Sequence, residues 1–164
     1  MAVVSMTRFR LRSGALRGQI PFFYHTLLSV RQARRAPGFV SGKLLADANR
    51  AYWTITAWDD LAAARAFQKS GAHKRAMRAM PYFQEWCDEA ATGHFDWTGD
   101  ELPDWDEAHR QLAAHGRFFP LRRPSADHAA HRIAPPLRQT QTNSANLRIK
   151  RRRRGWAQPV LPSR

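Results

Sequence analysis

His73 has the strongest claim to chemistry in this chain. It follows Gly71, where a helical run breaks, so its imidazole falls at the N-terminus of the next helical segment. The positive end of a helix there keeps a histidine neutral, which suits a base or a ligand better than a cation. The same position also suits a structural task, a hydrogen bond that pins the helix break. Trp53, Trp58, Trp86 and Trp97 form the second candidate group. Aromatic walls suit a pocket for a flat apolar molecule, yet large aromatics also fill cores and interfaces. His94 shares a strand face with Thr92 and Asp96, a plausible His–Asp pair or simply a polar strand edge. The expected site is therefore His73 as the catalytic group, with Trp53, Trp58, Trp86 and His94 around the substrate.

Other signals are weaker. His25 stands beside Tyr24 on a helix and adds little. Cys87, the single cysteine, excludes an internal disulfide and a cysteine-rich zinc site, and the neighbouring Asp88 and Glu89 disfavour its thiolate. His128 and His131 are three apart with no third ligand near, so no metal site is expected. There is no Gly-rich phosphate loop with its lysine, no GxGxxG after a strand and no Gly-x-Ser-x-Gly elbow.

The elements that must position these groups follow from periodicity. Residues 2–12 alternate as a strand, with Phe9 and Leu11 on one face and Val4, Met6, Arg8, Arg10 and Arg12 on the other. One end of the arginine face should be covered and the other should reach solvent. A helix over 20–35 would place Ile20, Phe23, Leu27 and Val30 on its buried side, with Pro21 in the first turn and Pro37-Gly38 as its stop. Strands at 39–46 and 51–58 join through Asp47-Ala48-Asn49-Arg50 as an antiparallel hairpin. Trp53 and Ile55 fall on one face of the second of these, with Tyr52, Thr54, Thr56 and Trp58 on the other. Asp59-Asp60 caps a second helix, interrupted at Gly71 and ended at Pro81. A short turn near Phe83–Trp86 then leads to a strand at about 89–97.

The order strand, helix, strand, strand, helix, strand predicts an α+β fold of ferredoxin-like βαββαβ type, a four-stranded antiparallel sheet with helices on one face. The apolar face left uncovered would pair with a second copy, giving a homodimer that closes into a dimeric α/β barrel.

The residues that carry this pattern also resemble a family. The strand WTITAW, the run DDLAAARAF, Gly71-Ala72-His73 with Ala76-Met77, and Trp86-Cys87-Asp88-Glu89-Ala90 are similar to the dimeric α/β-barrel superfamily. The likeness lies nearest the antibiotic-biosynthesis monooxygenases and spheroidene monooxygenase-like proteins. It covers roughly residues 1–115 and implies a monooxygenase-like protein that acts on or binds a small apolar or aromatic molecule. In cofactor-independent oxygenation the substrate supplies electrons as a carbanion, and the protein supplies a base, an apolar cage and donors to the enolate. The haem-degrading branch carries a Trp and, ten residues later, a haem-ligating His. Those positions fall here on Phe67 and Met77, and the Asn that branch has on its first strand is missing. No cofactor is favoured; haem would need a different ligand.

Charge divides the chain. Its 164 residues carry a net +14, but residues 1–115 hold 15 basic and 12 acidic residues, whereas residues 116–164 hold 12 basic and 1 acidic. That excludes a uniformly basic nucleic-acid-binding domain. Residues 1–98 are expected to form the ferredoxin-like domain, 99–116 a helical extension and 117–164 a largely disordered Pro/Arg-rich tail. Lys150, Arg151, Arg152, Arg153 and Arg154 could contact nucleic acid or an anionic surface without sequence preference. This supports an alternative, a non-catalytic binding protein with a basic tail. No apolar run reaches membrane-spanning length, and Arg8, Arg10 and Arg12 fall where a leader's apolar stretch would lie, so a cytoplasmic location is expected.

Overall fold

The computed structural model describes residues 2–14, 16–137 and 147–150. Four strands form as the alternation requires: β1 (Ala2–Leu11), β2 (Phe39–Ala46), β3 (Ala51–Trp58) and β4 (Cys87–Trp97). Helix α1 (Leu16–Ala33) crosses from β1 to β2. Between β3 and β4 run α2 (Leu61–Gln68), α3 (Gly71–Arg78) and α4 (Met80–Trp86). Asp60 caps α2 by accepting from the Ala63 amide at 2.7 Å. Pro81 lies in the first turn of α4, where its missing N–H costs nothing, so the expected turn at Phe83–Trp86 is instead helical.

The sheet is wider than the four strands expected. β1 is central and antiparallel to both β3 and β4. A fifth strand, β5 (Arg117–Phe118), extends the β4 edge, and β6 (Leu147–Lys150) pairs with β2, giving the order β5-β4-β1-β3-β2-β6. The added strands supply partners to N–H and C=O groups that would otherwise stand open on the two edges.

Helices α1–α4 cover one face. There Ala33, Phe39, Trp58, Ala64 and Phe67 form one apolar cluster, and Leu11, Phe22, Phe83 and Cys87 form another. The second face also carries a helix. Helix α5 (Trp105–His115), capped by Asp104 on the Glu107 amide, lays Trp105, Ala108 and Leu112 onto Val4, Met6, Trp53, Ile55 and Ala91. The apolar surface that motivated a sheet-to-sheet homodimer is thus buried within one chain.

Two further expectations change. On α1 the core side is Phe22 and Ala33, while Ile20, Phe23 and Leu27 are exposed. Pro21 lies inside the helix, which begins five residues before it. Residues 117–137, assigned by composition to the tail, pack on the domain. The Ser125 amide donates to the Asp88 carbonyl, Ala48 to that of Leu137, and His128 is buried against the Phe119 carbonyl. Helix α6 (Ala126–Ala129) and buried Ile133 belong to the same segment. Backbone pairing along β4 holds a stretch too poor in apolar residues to announce itself. Arg151–Arg154 lie outside the described residues.

Candidate functional site

The register places Thr7 of β1 between Thr54 of β3 and Thr92 of β4, with Thr56 and His94 one step along the same face. Hydroxyls therefore form a strip across three strands on the helix-covered side. Thr92 donates to the Met6 carbonyl at 2.8 Å and lies 3.4 Å from the Thr7 hydroxyl; Thr56 donates to the Ser5 carbonyl. All four threonines are half-buried. Opposite them, Thr26 and Ser29 occupy the same side of α1 as Phe22 and Ala33, one and two turns apart.

Aromatic clusters bracket the strip. At one end Trp58 lies between Phe39 and Phe67, with ring centroids 5.3 and 4.9 Å away, and its Nε1 donates to Thr56 at 3.0 Å. At the other end Phe22 contacts Phe9, Tyr52 and Phe83 at 5.0–5.9 Å. The arrangement sets neutral hydroxyls between two apolar walls, with those of Thr56 and Thr92 already donated to backbone carbonyls, which suits a flat, largely apolar molecule.

His94 borders the strip, its Nε2 3.3 Å from the Gln68 amide nitrogen. Partial burial and the nearby Arg65 guanidinium lower its pKa, so it stays neutral. Its Asp96 neighbour is not its hydrogen-bond partner. His73 sits behind the strip. Its backbone N–H donates to Gln32 Oε1 at 2.9 Å, its Nδ1 lies 3.3 Å from the Gln68 carbonyl, and its ring packs 4.7 Å from Phe67. Burial lowers its pKa against that hydrogen bond. Gln32 also donates to the Phe67 and Ser70 carbonyls, so one side chain from α1 ties the α2–α3 junction. Gly71 at that junction has φ +52°, and a Cβ there would meet Gln32 Oε1 at 2.8 Å.

Of the expected substrate residues, Trp58, Trp86 and His94 lie on the helix-covered side. Trp86 ends α4 and packs over Gly18 of α1, far along from Trp58. Trp53 does not join them. It lies on the opposite face under α5, with Nε1 donating to Asp47 at 2.9 Å and the Arg8 guanidinium over its ring. The threonine strip itself escaped sequence reading, because single threonines on separate strands carry no local signal; only the register assembles them.

The ferredoxin-like strand order, with helices packed on the sheet, defines a class of small α+β proteins. Residues 3–79 match the family described as antibiotic biosynthesis monooxygenase, the family that the sequence resemblance implied. Among solved structures, a substituted form of SnoaB, a cofactor-independent oxygenase from Streptomyces nogalater, is 21% identical, with a TM-score of 0.48, over 63% of this chain and 98% of its own. A Nitrosomonas europaea protein assigned to the same monooxygenases is 15% identical, with a TM-score of 0.49, over 60% and 90%. A Pseudomonas aeruginosa protein is 14% identical, with a TM-score of 0.49, over 60% and 95%. No curated protein matches the chain. Among the described residues no helix is long and apolar enough to cross a membrane, and no cluster of three His, Cys, Asp or Glu could hold a metal.

Proposed function

We propose that the chain binds a small, flat, largely apolar molecule between α1–α3 and the threonine strip, and oxygenates it without a resident cofactor. The observation that carries this reading is the row Thr7, Thr54, Thr56 and Thr92 between the Trp58–Phe67 and Phe9–Phe22–Tyr52 clusters. A substrate methylene flanked by aromatic carbonyls gives its proton to a base, and the carbanion's electrons reduce O2. One oxygen atom ends as a new carbonyl and the other leaves as water. The hydroxyls of Thr7 and Thr54, which donate to no backbone carbonyl among the described residues, stabilise the enolate.

The sequence favoured His73 as the base. The geometry favours His94 for that role, because its neutral ring borders the strip while His73 is held against Phe67 and Gln68. Haem does not suit these residues: the position of the haem ligand in the haem-degrading branch carries Met77, 38% exposed on α3.

Oxygen uptake with a panel of hydroxylated polycyclic ketones, without added flavin, metal or haem, tests the reading. Turnover that falls at least about tenfold in His94→Ala, and less in His73→Ala, supports it. Saturable quenching of tryptophan fluorescence with no oxygen uptake would establish the alternative, a ligand-binding protein without turnover. The commitment of the Thr56 and Thr92 hydroxyls to backbone carbonyls favours that alternative. Absence of both uptake and binding overturns the site.

A further inference from the structure

The helix layer has an outward side that the proposed site does not use. On α1, Ile20, Tyr24 and Leu27 are 77%, 59% and 67% exposed, with Phe23 beside them. Spacings of four and three put them on one side of the helix, opposite Phe22 and Ala33. A contiguous apolar stripe of this kind marks an interaction surface.

Arg31 carries the same side into the last turn of α1, and Arg34 and Arg35 follow in the turn just beyond it. Arg31 and Arg35, together with Arg75 of α3, line a groove of about 930 Å3 floored by Ala63, Ala66 and Phe67. Lys74 and Arg78 extend the cationic surface along α3. Among the described residues none of these six cations forms an ion pair, in contrast to Arg8, Arg10, Arg110, Arg122 and Arg132. Asp59 and Asp60 also line the groove, but most acids lie elsewhere: residues 79–115 carry nine Asp and Glu against the single Arg110.

We infer that this face of α1 and α3 seats the protein on an anionic lipid surface, with Ile20, Tyr24 and Leu27 entering the headgroup–acyl boundary and the arginines meeting phosphates. Charge complementarity selects this occupant. A second copy docked on the stripe would bring unpaired guanidiniums against unpaired guanidiniums. A nucleic-acid backbone would satisfy the cations and leave the aliphatic stripe in water. A lipid surface with anionic headgroups uses both halves, as interfacial amphipathic helices do. The inference does not depend on the oxygenase reading.

The test uses the full chain with Leu27→Cys carrying a polarity-sensitive fluorophore; Cys87 is fully buried and leaves one accessible thiol. Vesicles of phosphatidylcholine with phosphatidylserine should shift its emission to the blue, and phosphatidylcholine alone should not. The same label at Ala114→Cys, on exposed α5 across the sheet, should not respond. Each of Arg31→Gln, Arg34→Gln and Arg35→Gln should weaken partitioning about fivefold, and Leu27→Glu about tenfold or more. The shift should survive replacement of Lys150 and Arg151–Arg154 by Gln. Its loss in that variant would assign lipid binding to the basic tail and overturn the inference. So would a silent label at position 27, or a vesicle-free dimer in sedimentation that Leu27→Glu dissociates.

Discussion

The guanidinium carbon of Arg8 lies 5.0 Å over the Trp53 ring, and the same guanidinium pairs with Glu89; all three residues are at most 2% exposed. Arg10 joins them, 2.9 Å from Glu89 and 2.8 Å from Asp88, and Ser125 of the C-terminal segment donates to Glu89 at 3.2 Å. Arginines that alternate along a strand would ordinarily mark a wet face. Here the segment after β5 covers them, and Glu89 compensates their charge.

Removing one partner of a buried pair leaves the other uncompensated. Glu89→Ala should therefore cost about 3–5 kcal/mol, read as a lowered urea midpoint. Asp88→Asn disrupts only the half-exposed contact to Arg10 and should cost about 1 kcal/mol or less. Equal losses in the two variants would contradict the burial of the network.

His73 gives a pH signature. Burial lowers its pKa below 6.5 in the fold, so the unfolded chain binds more protons in the window from about pH 6.5 down to that lower value. Stability should rise with pH across the window and level off above it. Thermal midpoints of His73→Gln should show a shallower slope than the parent. Some slope should remain, because His94 is shifted in the same direction.

Leu112 is 1% exposed where α5 meets the sheet. Leu112→Ala should cost about 2–5 kcal/mol and loosen the cover over Met6, Ile55 and Ala91. An increase in hydrophobic dye binding by the native variant over the parent is the second readout.

Burial, reinforced by Asp88, pushes the Cys87 thiol up to about 12. The native protein should resist thiol reagents at pH 8 and react fully once unfolded in guanidinium. Fast native labelling would mean that the cluster around Leu11, Phe22 and Phe83 opens readily.

Much of the scaffold was legible. The β2 and β3 bounds, the Asp60 cap and the break at Gly71 all lie where composition and spacing placed them. These depend on nearest neighbours: alternation selects a strand, a carboxylate satisfies first-turn amides, and a glycine accepts a positive φ. The site was less legible. His94 and Trp58 were correctly put on one strand face each, but Trp53 was grouped with them across the thickness of the sheet.

Alternation assigned Trp53 and Ile55 to one side of β3 and Thr54, Thr56 and Trp58 to the other, and that division is purely local, since successive side chains point to opposite faces. What covers each side is not local. α5 reaches the Trp53–Ile55 side from fifty residues along the chain or more, converting an expected dimer face into core. α1 turns Phe22 and Ala33 inward, against the clusters that Phe83 and Phe67 complete, and leaves its longer apolar stripe outside. Sequence spacing determines which residues share a face; only the packing of distant segments decides which face is buried, and by what.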